Sequence, residues 1–320
     1  MIQRQGATTA KDSWKSNKML DLSTSIAGVK LKNPTILSSG IFGTSSELIK
    51  RAFENNAGAA TIKSIGPRPR DGNNNPSVID FGHGLLNAVG LPSPGYKNMD
   101  MEFNELSKIK EPVIWSIYGS RIEDFIDITK YIIRYKPRII ELNISCPNKE
   151  NGMLFSQDKK SAANVTRSVK EIAEKTIVIP KLSPNVSNIS EIAYACEKAG
   201  ADAINAINTV QGMVINIDAK KPVLDYKKGG MSGPALKPIA VRCVYEIYEK
   251  VSIPIIGTGG IMNGRDAIEI IQAGASAVGI GSGVYYHGIE VFRNIVNEIK
   301  EWMQENGYNS IKELIGIAHK

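Results

Sequence analysis

Cysteine is scarce in this chain of 320 residues. The three cysteines, Cys146, Cys196 and Cys243, lie far apart and form no C-x-x-C pair. Zinc sites and iron–sulfur clusters need closely spaced thiolate ligands. We therefore expect the chain by itself to hold no metal site of either kind.

Long apolar runs are also missing. No stretch reaches the roughly 18 uninterrupted apolar residues that a membrane-spanning helix needs. Residues 1–17 are polar and do not resemble a signal peptide. The sequence therefore predicts a cytoplasmic protein that does not enter a membrane.

Basic charge is present but is not concentrated in one place. The formal net charge is +7, yet Lys and Arg are scattered along helix-like segments, and aromatic residues make up only 7% of the chain. Nucleic-acid-binding proteins usually gather basic residues into a patch or stripe. We expect a solvated basic surface with affinity for small anions, and no nucleic-acid partner.

From residue 34 onward, apolar β-rich runs alternate with amphipathic helical patterns. The predicted strands are 35–38, 59–64, 113–118, 139–144, 177–182, 203–208, 253–257 and 277–280. The predicted helices are 45–55, 121–135, 162–175, 190–199, 236–250, 264–273 and 287–306. Such alternation predicts parallel strands with right-handed crossovers. A doubly wound sheet is an alternative, but eight buried strands favour an α/β fold closed into a (β/α)₈ TIM barrel.

The barrel is expected to form one domain over residues 21–320. It follows an N-terminal extension, residues 1–20, that shows no periodicity. Segments 22–26 and 29–31 flank Ala27-Gly28, where glycine allows a tight turn. These segments predict a short hairpin that caps one end of the barrel.

Two connections are longer than a barrel requires, namely 66–111 and 209–238. Long loops in compact domains are usually functional or disordered. The first contains Asn87-Ala-Val-Gly-Leu91 and the second contains Gly229-Gly-Met-Ser-Gly-Pro234. Their glycines permit sharp turns or a close approach to a ligand. Taken singly, each connection is more simply a surface excursion, and we expect both at the C-terminal face.

The stretch Ile139-Ile-Glu-Leu-Asn-Ile-Ser-Cys-Pro-Asn148 changes abruptly from apolar to polar. Alternation along a strand directs Asn143 and Ser145 to the same, inward side. Pro147 favours an extended Cys146, which would hold the thiol beside two amide side chains. Amides donate and accept at once, which suits a flat heterocycle bearing C=O and N–H groups. A buried structural cysteine is the alternative at this stage.

Polar residues recur where the predicted strands end, which is where (β/α)₈ barrels bind ligands. They are Ser39, Lys63, Ser64, Ser116, residues 143–148, Lys181, Asn208 and Thr209. Gly257-Thr-Gly-Gly260 and Gly281-Ser-Gly283 follow the last two strands, a common place for phosphate bound by backbone amides. A lysine at a strand end is costly to bury unless an anion meets it.

These motifs, in this order, resemble the class 1 dihydroorotate dehydrogenases, flavoproteins of pyrimidine synthesis, and come closest to the 1B subgroup. The resemblance extends from about Leu22 into the C-terminal region. It rests on Ser38-Ser-Gly-Ile-Phe-Gly43, Ile62-Lys-Ser64, the Asn87 and Gly229 motifs, Asn143-Ile-Ser-Cys-Pro-Asn148, Lys181-Leu-Ser-Pro-Asn185, Ile207-Asn-Thr209 and Gly257-Thr-Gly-Gly260. Two positions depart from it, because Ser93 and Ser116 stand where many relatives have Asn.

The resemblance implies oxidation of dihydroorotate to orotate by a flavoprotein oxidoreductase with bound FMN. The implied cofactor contacts are Ser39, Lys63, Ser64, Ser116, Asn143, Lys181, Ile207 and Gly233, with the phosphate on Gly259, Gly260, Gly281 and Ser282. The implied substrate contacts are Lys63, Asn87, Ala88, Val89, Gly90, Leu91, Asn143, Asn148, Asn208 and Thr209. Cys146 would be the catalytic base, assisted by Lys63.

The resemblance also implies a homodimeric core and a separate electron-transfer subunit holding FAD and an iron–sulfur cluster. Two other activities remain possible from the sequence. One is a dihydropyrimidine dehydrogenase-type flavoenzyme, although such enzymes typically have His where Asn148 stands. The other is a flavin-free, phosphate-binding barrel that acts as an isomerase or synthase. A non-enzymatic scaffold would leave the polar strand ends unexplained.

Overall fold

The computed structural model describes residues 20–145 and 155–320. The strands are β1 (Thr24–Ile26), β2 (Val29–Leu31), β3 (Thr35–Leu37), β4 (Ala59–Thr61), β5 (Val78–Asp80), β6 (Leu85–Asn87), β7 (Val113–Tyr118), β8 (Ile139–Asn143), β9 (Ile177–Leu182), β10 (Ile204–Ala206), β11 (Val210–Gly212), β12 (Ile215–Asn216), β13 (Lys221–Pro222), β14 (Gly229–Ser232), β15 (Ile255–Thr258) and β16 (Ala277–Ile280). The α-helices are α1 (Ser46–Glu54), α2 (Asp100–Lys108), α3 (Ile122–Ile132), α4 (Lys159–Ala173), α5 (Ile189–Lys198), α6 (Lys237–Tyr248), α7 (Gly264–Gln272), α8 (Ser282–His287) and α9 (Val291–Glu305).

Eight parallel strands close into a barrel in the order β10-β15-β16-β3-β4-β7-β8-β9. These are the eight strands predicted from the sequence, so the (β/α)₈ prediction is confirmed. The long central strands set the register of the mouth: Asn143 on β8 lies opposite Lys181 on β9, and Lys181 lies opposite Asn205 on β10. These pairings bring inward-facing residues of the three strands next to one another near the mouth.

The amino-terminal end of the barrel is closed by apolar side chains. Ile26 and Leu31 of the β1–β2 hairpin are each 1% exposed, and they belong to one buried cluster with inward residues of the barrel strands. That cluster includes Ile36, Ile114 and Ile139. The hairpin therefore caps this end of the barrel, as its sequence predicts.

Helices cover the outside of the barrel, and short polar side chains begin several of them. Asp158, Asn188 and Asn263 accept hydrogen bonds from backbone amides in the first turns of α4, α5 and α7. Such N-caps satisfy amides that a helix leaves free at its start. Buried residues on the inner faces of these helices belong to the main hydrophobic core.

The two long connections fold together, which the sequence analysis did not predict. They supply the four-stranded sheet β11-β14-β6-β5, in which β6 from the first connection pairs with β14 from the second. The first connection also contains α2. The predicted helix 287–306 starts too early, because α9 begins at Val291. A separate helix that was not predicted, α8, precedes it and ends before Gly288, where φ is +71°.

A membrane span is not found in the part of the chain that the structure describes. None of its helices combines the length and apolar character needed to cross a bilayer.

Candidate functional site

A layer of polar side chains lies inside the barrel above the apolar floor. Ser116 Oγ donates to Glu141 Oε1 at 2.9 Å, and Asn205 Nδ2 donates to Glu141 Oε2 at 2.6 Å. Thr258 Oγ1 donates to Asn205 Oδ1 at 2.8 Å. Glu141 is only 1% exposed and forms no ion pair with any described residue. A buried carboxylate without a cation depends on its hydrogen bonds, so this layer holds its members in fixed positions.

The next layer toward the mouth contains several of the predicted site residues. Ser64 Oγ lies 2.8 Å from Ser116 Oγ and 3.2 Å from Ser39 Oγ. Asn143 Nδ2 donates to Ser64 Oγ at 3.1 Å. The structure therefore brings Ser39, Ser64, Ser116 and Asn143, which the sequence places at the ends of four different strands, into one hydrogen-bonded group.

Asn208 and Thr209 join this group from the end of β10. Asn208 Nδ2 donates to Ser145 Oγ at 2.9 Å and lies 3.5 Å from Asn143 Oδ1. The Thr209 amide donates to Asn208 Oδ1, and the Thr209 carbonyl accepts from Asn185 Nδ2 at 2.9 Å. Two carboxamides, Asn143 and Asn208, thus stand side by side at the mouth with their own geometry fixed by neighbours.

Two lysines reach the same end of the barrel. Lys181 is 7% exposed and Lys63 is partly buried, and neither forms an ion pair or side-chain hydrogen bond with a described residue. Burial lowers the pKa of Lys63 from its ordinary value. Positive charge held in a desolvated place without a partner is costly unless an anion completes it. Both lysines therefore indicate a site for anionic ligands.

The glycine turns after β15 and β16 leave backbone amides available. Gly259 and Gly260 have φ of +136° and +74°, and a Cβ at Gly260 would come within 2.5 Å of the Lys237 nitrogen. Gly281 is open, since a Cβ there would meet nothing closer than 3.7 Å. Among the described residues no acceptor bonds the amides of Gly259, Gly260, Ser282 or Gly283 outside regular secondary structure.

One buried hydroxyl beside these turns has no hydrogen-bond partner in the part of the chain that the structure describes. Ser38 Oγ accepts and donates no hydrogen bond within the described residues, although Ser38 is only 8% exposed. It lies about 4.0 Å from the position of a Cβ on Gly281. An orphaned hydroxyl next to free amides is a suitable lining for the phosphate and hydroxylated chain of a nucleotide.

The first long connection lies over the mouth and is held at several points. Asn87 Nδ2 donates to the Gly230 carbonyl at 3.1 Å, and Tyr118 OH donates to the Leu91 carbonyl at 2.9 Å. Between them, Asn73 Nδ2 bonds the Ala88 carbonyl and the Asn73 amide bonds the Val89 carbonyl. Gly90 has φ of +81° and sits against Asn73. The predicted segment Asn87 to Leu91 is thus held in place by hydrogen bonds.

The second connection packs closely on the first through glycines. A Cβ on Gly229 would lie 2.6 Å from the Asn87 carbonyl oxygen, and a Cβ on Gly233 would lie 2.7 Å from the Gly84 Cα. Gly233 also has φ of +96°, which favours glycine. Ile207, another predicted cofactor contact, is 1% exposed, and its amide donates to the Thr258 carbonyl.

Cys146 and Asn148 lie outside the described residues. The other two cysteines, Cys196 on α5 and Cys243 on α6, are fully buried in the core. Burial raises the pKa of Cys196 to about 12. A thiol of that kind is inert, because the thiolate is the reactive form.

Glu141, Asn205 and Thr258 were not predicted as site residues from the sequence. A signal existed, because Glu141 and Asn205 are isolated polar residues at inward positions of otherwise apolar strands. The two positions that depart from the resemblance also have structural roles here. Ser93 Oγ accepts from the amides of Gly66 and Gly95, and Ser116 is wholly enclosed between Ser64 and Glu141.

Comparison with known proteins adds to this geometry. The profile of the family described as Dihydroorotate dehydrogenase matches residues 21–303. The catalytic subunit of dihydroorotate dehydrogenase B (NAD(+)) from Pyrococcus abyssi is 45% identical over 300 residues, covering 93% of this chain and 99% of the relative. The corresponding subunit from Methanocaldococcus jannaschii is 45% identical over 304 residues, covering 93% and 98%. That from Caldicellulosiruptor saccharolyticus is 44% identical over 301 residues, covering 93% and 99%.

A solved structure supports the fold separately. The crystal structure of DHODH in complex with ferulenol from Eimeria tenella matches with a TM-score of 0.81 at 21% identity, covering 97% of this chain and 92% of that one. At that level of identity the likeness concerns the barrel architecture alone.

Proposed function

Because the chain belongs to the dihydroorotate dehydrogenase family, we propose that its barrel mouth binds FMN and dihydroorotate against each other. The activity is the oxidation of dihydroorotate to orotate in pyrimidine biosynthesis. The observation that best supports the proposed site is the convergence, at one end of the barrel, of two carboxamides, a series of hydroxyls and two lysines that have no ionic partner among the described residues.

Dihydroorotate offers a carboxylate and a ring with alternating C=O and N–H groups. Lys63, partly buried and without a described partner, is suited to the carboxylate. Asn143 and Asn208, which can each donate and accept, are suited to the ring edge. Asn87, the backbone from Ala88 through Leu91, and Thr209 complete the substrate contacts that we propose, together with Asn148.

The family is flavin-dependent, and the residues present fit FMN in particular. A phosphate and its ribityl chain would be held at the open Gly281 by the backbone amides of Gly259, Gly260 and Ser282 and by the Ser38 hydroxyl. None of these groups has a hydrogen-bond partner among the described residues. Ser39, Ser64, Asn143, Lys181, Ile207 and Gly233 would meet the rest of the cofactor. Ser116, which the resemblance also implies as a contact, is 0% exposed and would instead support Ser64 from behind. When bound, FMN would supply the acceptor for the hydride that leaves ring carbon 6. FMN is preferred to FAD because no second nucleotide-binding fingerprint occurs in the sequence.

We propose Cys146 as the base that removes the proton from ring carbon 5. A free thiol is mostly protonated at neutral pH, so a neighbouring positive charge helps it to act as a base. Lys63 would supply that charge. The carboxamides orient the ring so that the proton and the hydride leave from fixed positions, which contributes to the rate by proximity.

The electrons then leave the chain for a partner. The relatives are named catalytic subunits, which implies another subunit in their enzymes. We propose that a separate subunit with FAD and an iron–sulfur cluster receives the electrons and passes them to NAD(+), and that two copies of this chain form the core. A cytoplasmic location remains a prediction.

The test begins with the absorbance spectrum of the purified chain. Flavin bands should be present, FMN should be released on denaturation, and anaerobic addition of dihydroorotate should bleach the bands. Release of FAD would contradict the cofactor assignment. Bleaching by dihydrouracil with no response to dihydroorotate would instead support the dihydropyrimidine alternative.

A further inference from the structure

The hydrogen bonds around Ser64 have a fixed direction. A serine hydroxyl has one hydrogen to donate. Ser116 gives its hydrogen to Glu141, so the 2.8 Å contact between Ser64 and Ser116 must be donated by Ser64. With its hydrogen used, Ser64 Oγ can only accept from Asn143 Nδ2. The hydrogen bonds therefore all point the same way: Asn143 donates to Ser64, Ser64 donates to Ser116, and Ser116 donates to Glu141.

This direction determines how the Asn143 amide is turned. Its nitrogen faces Ser64, and its oxygen faces two donors, Asn208 Nδ2 at 3.5 Å and the Ser145 amide at 3.4 Å. A flipped amide would place its oxygen against a hydroxyl oxygen that has no hydrogen left to give. It would also set its NH₂ group against both donors. The contacts of the Asn143 nitrogen and those of its oxygen therefore favour the same orientation of the amide.

Glu141 sets the direction of these hydrogen bonds, because a carboxylate can only accept. A second arm reaches it from the other side, since Asn205 Nδ2 donates to Glu141 and leaves Asn205 Oδ1 to accept from Thr258. Glu141 is 1% exposed, Ser116 is 0% exposed and Asn205 is 5% exposed, so bulk water cannot replace a lost partner. Both arms therefore depend on an acceptor-only group at position 141.

We propose that Glu141 is a positioning residue for dihydroorotate oxidation: acting through Ser116 and Ser64, its carboxylate fixes which end of the Asn143 amide faces the substrate. This inference rests on the proposed function, which sets Asn143 against the substrate ring. A ring whose edge alternates C=O and N–H distinguishes sharply between an amide presented one way and the same amide reversed.

The isosteric substitution Glu141→Gln tests the proposal, because glutamine has one accepting and one donating end. One of the two arms must then reverse and leave a buried hydrogen without an acceptor. We expect reversal of the Asn143 arm and an increase of about tenfold in the Kd for orotate, the effect of one lost hydrogen bond to a buried group. Ser116→Ala, which cuts the same arm directly, should weaken orotate binding by a similar factor.

A double variant provides a rescue. In Glu141→Gln/Asn205→Asp, the oxygen of the new glutamine accepts from Ser116. The NH₂ group of that glutamine donates to the new aspartate, which still accepts from Thr258. Every bond of the network is then satisfied with the Asn143 arm in its original direction. Asn205→Asp alone should be the most harmful of these variants, because it sets two carboxylates at the present 2.6 Å contact.

The control is Thr35→Val at the opposite end of the barrel. Thr35 is 0% exposed like Ser116, and its hydroxyl donates to Asn33 Oδ1 at 2.7 Å. If hydroxyl loss acts only through stability, Thr35→Val and Ser116→Ala should both lower the melting temperature, and neither should change orotate binding. A positioning role predicts weaker orotate binding in Ser116→Ala alone.

Orotate binding is measured by calorimetry on the FMN-loaded proteins, with thermal unfolding in parallel. The wild-type protein is measured first, since a wild type that binds no orotate would refute the proposed function itself. Weakened binding in Glu141→Gln with recovery in the double variant would support the proposal. Wild-type affinity in both Glu141→Gln and Ser116→Ala would overturn it. Weakened binding in Glu141→Gln that the double variant does not restore would also overturn it, because the effect would then belong to the charge at position 141.

Discussion

The two ends of the barrel are built from the same eight strands and have opposite character. At the amino-terminal end, Ile26 and Leu31 of the hairpin pack on inward isoleucines in an apolar cluster. At the carboxyl end, the inward residues are a carboxylate, amides, hydroxyls and lysines. The amino-terminal end is closed by apolar packing. At the carboxyl end, lysines, a hydroxyl and backbone amides lack partners among the described residues.

The difference indicates that stability and ligand binding are separated along the barrel axis. Burial of apolar side chains at the closed end contributes to folding without any ligand. The desolvated charge at the open end opposes folding until a ligand meets it. Substitutions at the two ends should therefore change different measured quantities, which the following predictions test.

The largest effect is expected at Cys146, the base that we propose. If Cys146 is the catalytic base, Cys146→Ala should slow flavin reduction by dihydroorotate by roughly two to four orders of magnitude. The variant should still fold, hold flavin and bind orotate, because the carboxamides and the phosphate turns are unchanged. Stopped-flow absorbance at several pH values would measure the rate. Cys146→Ser should retain some activity that moves to higher pH, and an alanine variant near the wild-type rate would refute the role.

The next largest effect is expected at the apolar amino-terminal end of the barrel, where Leu31 is 1% exposed. Leu31→Ala should lower the free energy of unfolding by about 2–5 kcal/mol, through lost burial and the cavity left behind. Orotate affinity and the rate of flavin reduction, measured where the protein is folded, should not change. Leu31→Met is the matched control and should cost less than about 1.5 kcal/mol. A loss of orotate affinity in Leu31→Ala would show that the two ends are coupled.

Substitution of Lys63 should have a smaller effect, and it should change ligand affinity and stability in opposite directions. Lys63→Met should weaken orotate binding roughly 10- to 100-fold, the range for losing a charged hydrogen-bond donor. It should also raise the melting temperature of the ligand-free protein, because a desolvated charge without a described partner is removed. A lower melting temperature would contradict this account of the open end.

The lowered pKa of Lys63 gives this prediction a pH dependence. Below the folded-state pKa the desolvated charge costs stability, and the cost disappears as pH rises from that pKa toward the ordinary value. Orotate binding should change in the opposite direction, falling as pH rises through the lowered pKa, because the carboxylate needs the charged amine. Lys63→Arg should remove this fall in affinity, since arginine stays protonated. Calorimetric titrations across alkaline pH would measure it.

The smallest effect should be on flavin retention at Gly281. Gly281→Ala places a methyl group in open space, with no contact closer than 3.7 Å. It should leave the melting temperature of the flavin-free protein unchanged and weaken FMN binding by about tenfold, by crowding amides that the phosphate needs. Gly260 is a poorer choice, because a Cβ there would strike the Lys237 backbone at 2.5 Å and disturb the fold directly. Unchanged FMN affinity in Gly281→Ala would remove this turn from the phosphate site.

The sequence by itself determined the barrel, its closed end and the outline of its mouth. Short apolar runs of period two and amphipathic helices are local patterns, so the eight strands and the capping hairpin follow from neighbours along the chain. The polar residues at the strand ends were likewise visible one by one, and the chain order of the motifs supported the resemblance. Helix α8 was not predicted, because Gly281-Ser-Gly283 is typical of a turn.

Only the tertiary structure decided what those residues do to one another. The pairing of β6 with β14 joins segments that are distant in the chain, and no local pattern encodes which partner a strand will meet. The direction of the hydrogen bonds from Asn143 to Glu141 likewise depends on side chains of three different strands that meet inside the barrel. Hydrogen-bond direction is a property of the whole network, because each hydroxyl can give its one hydrogen only once.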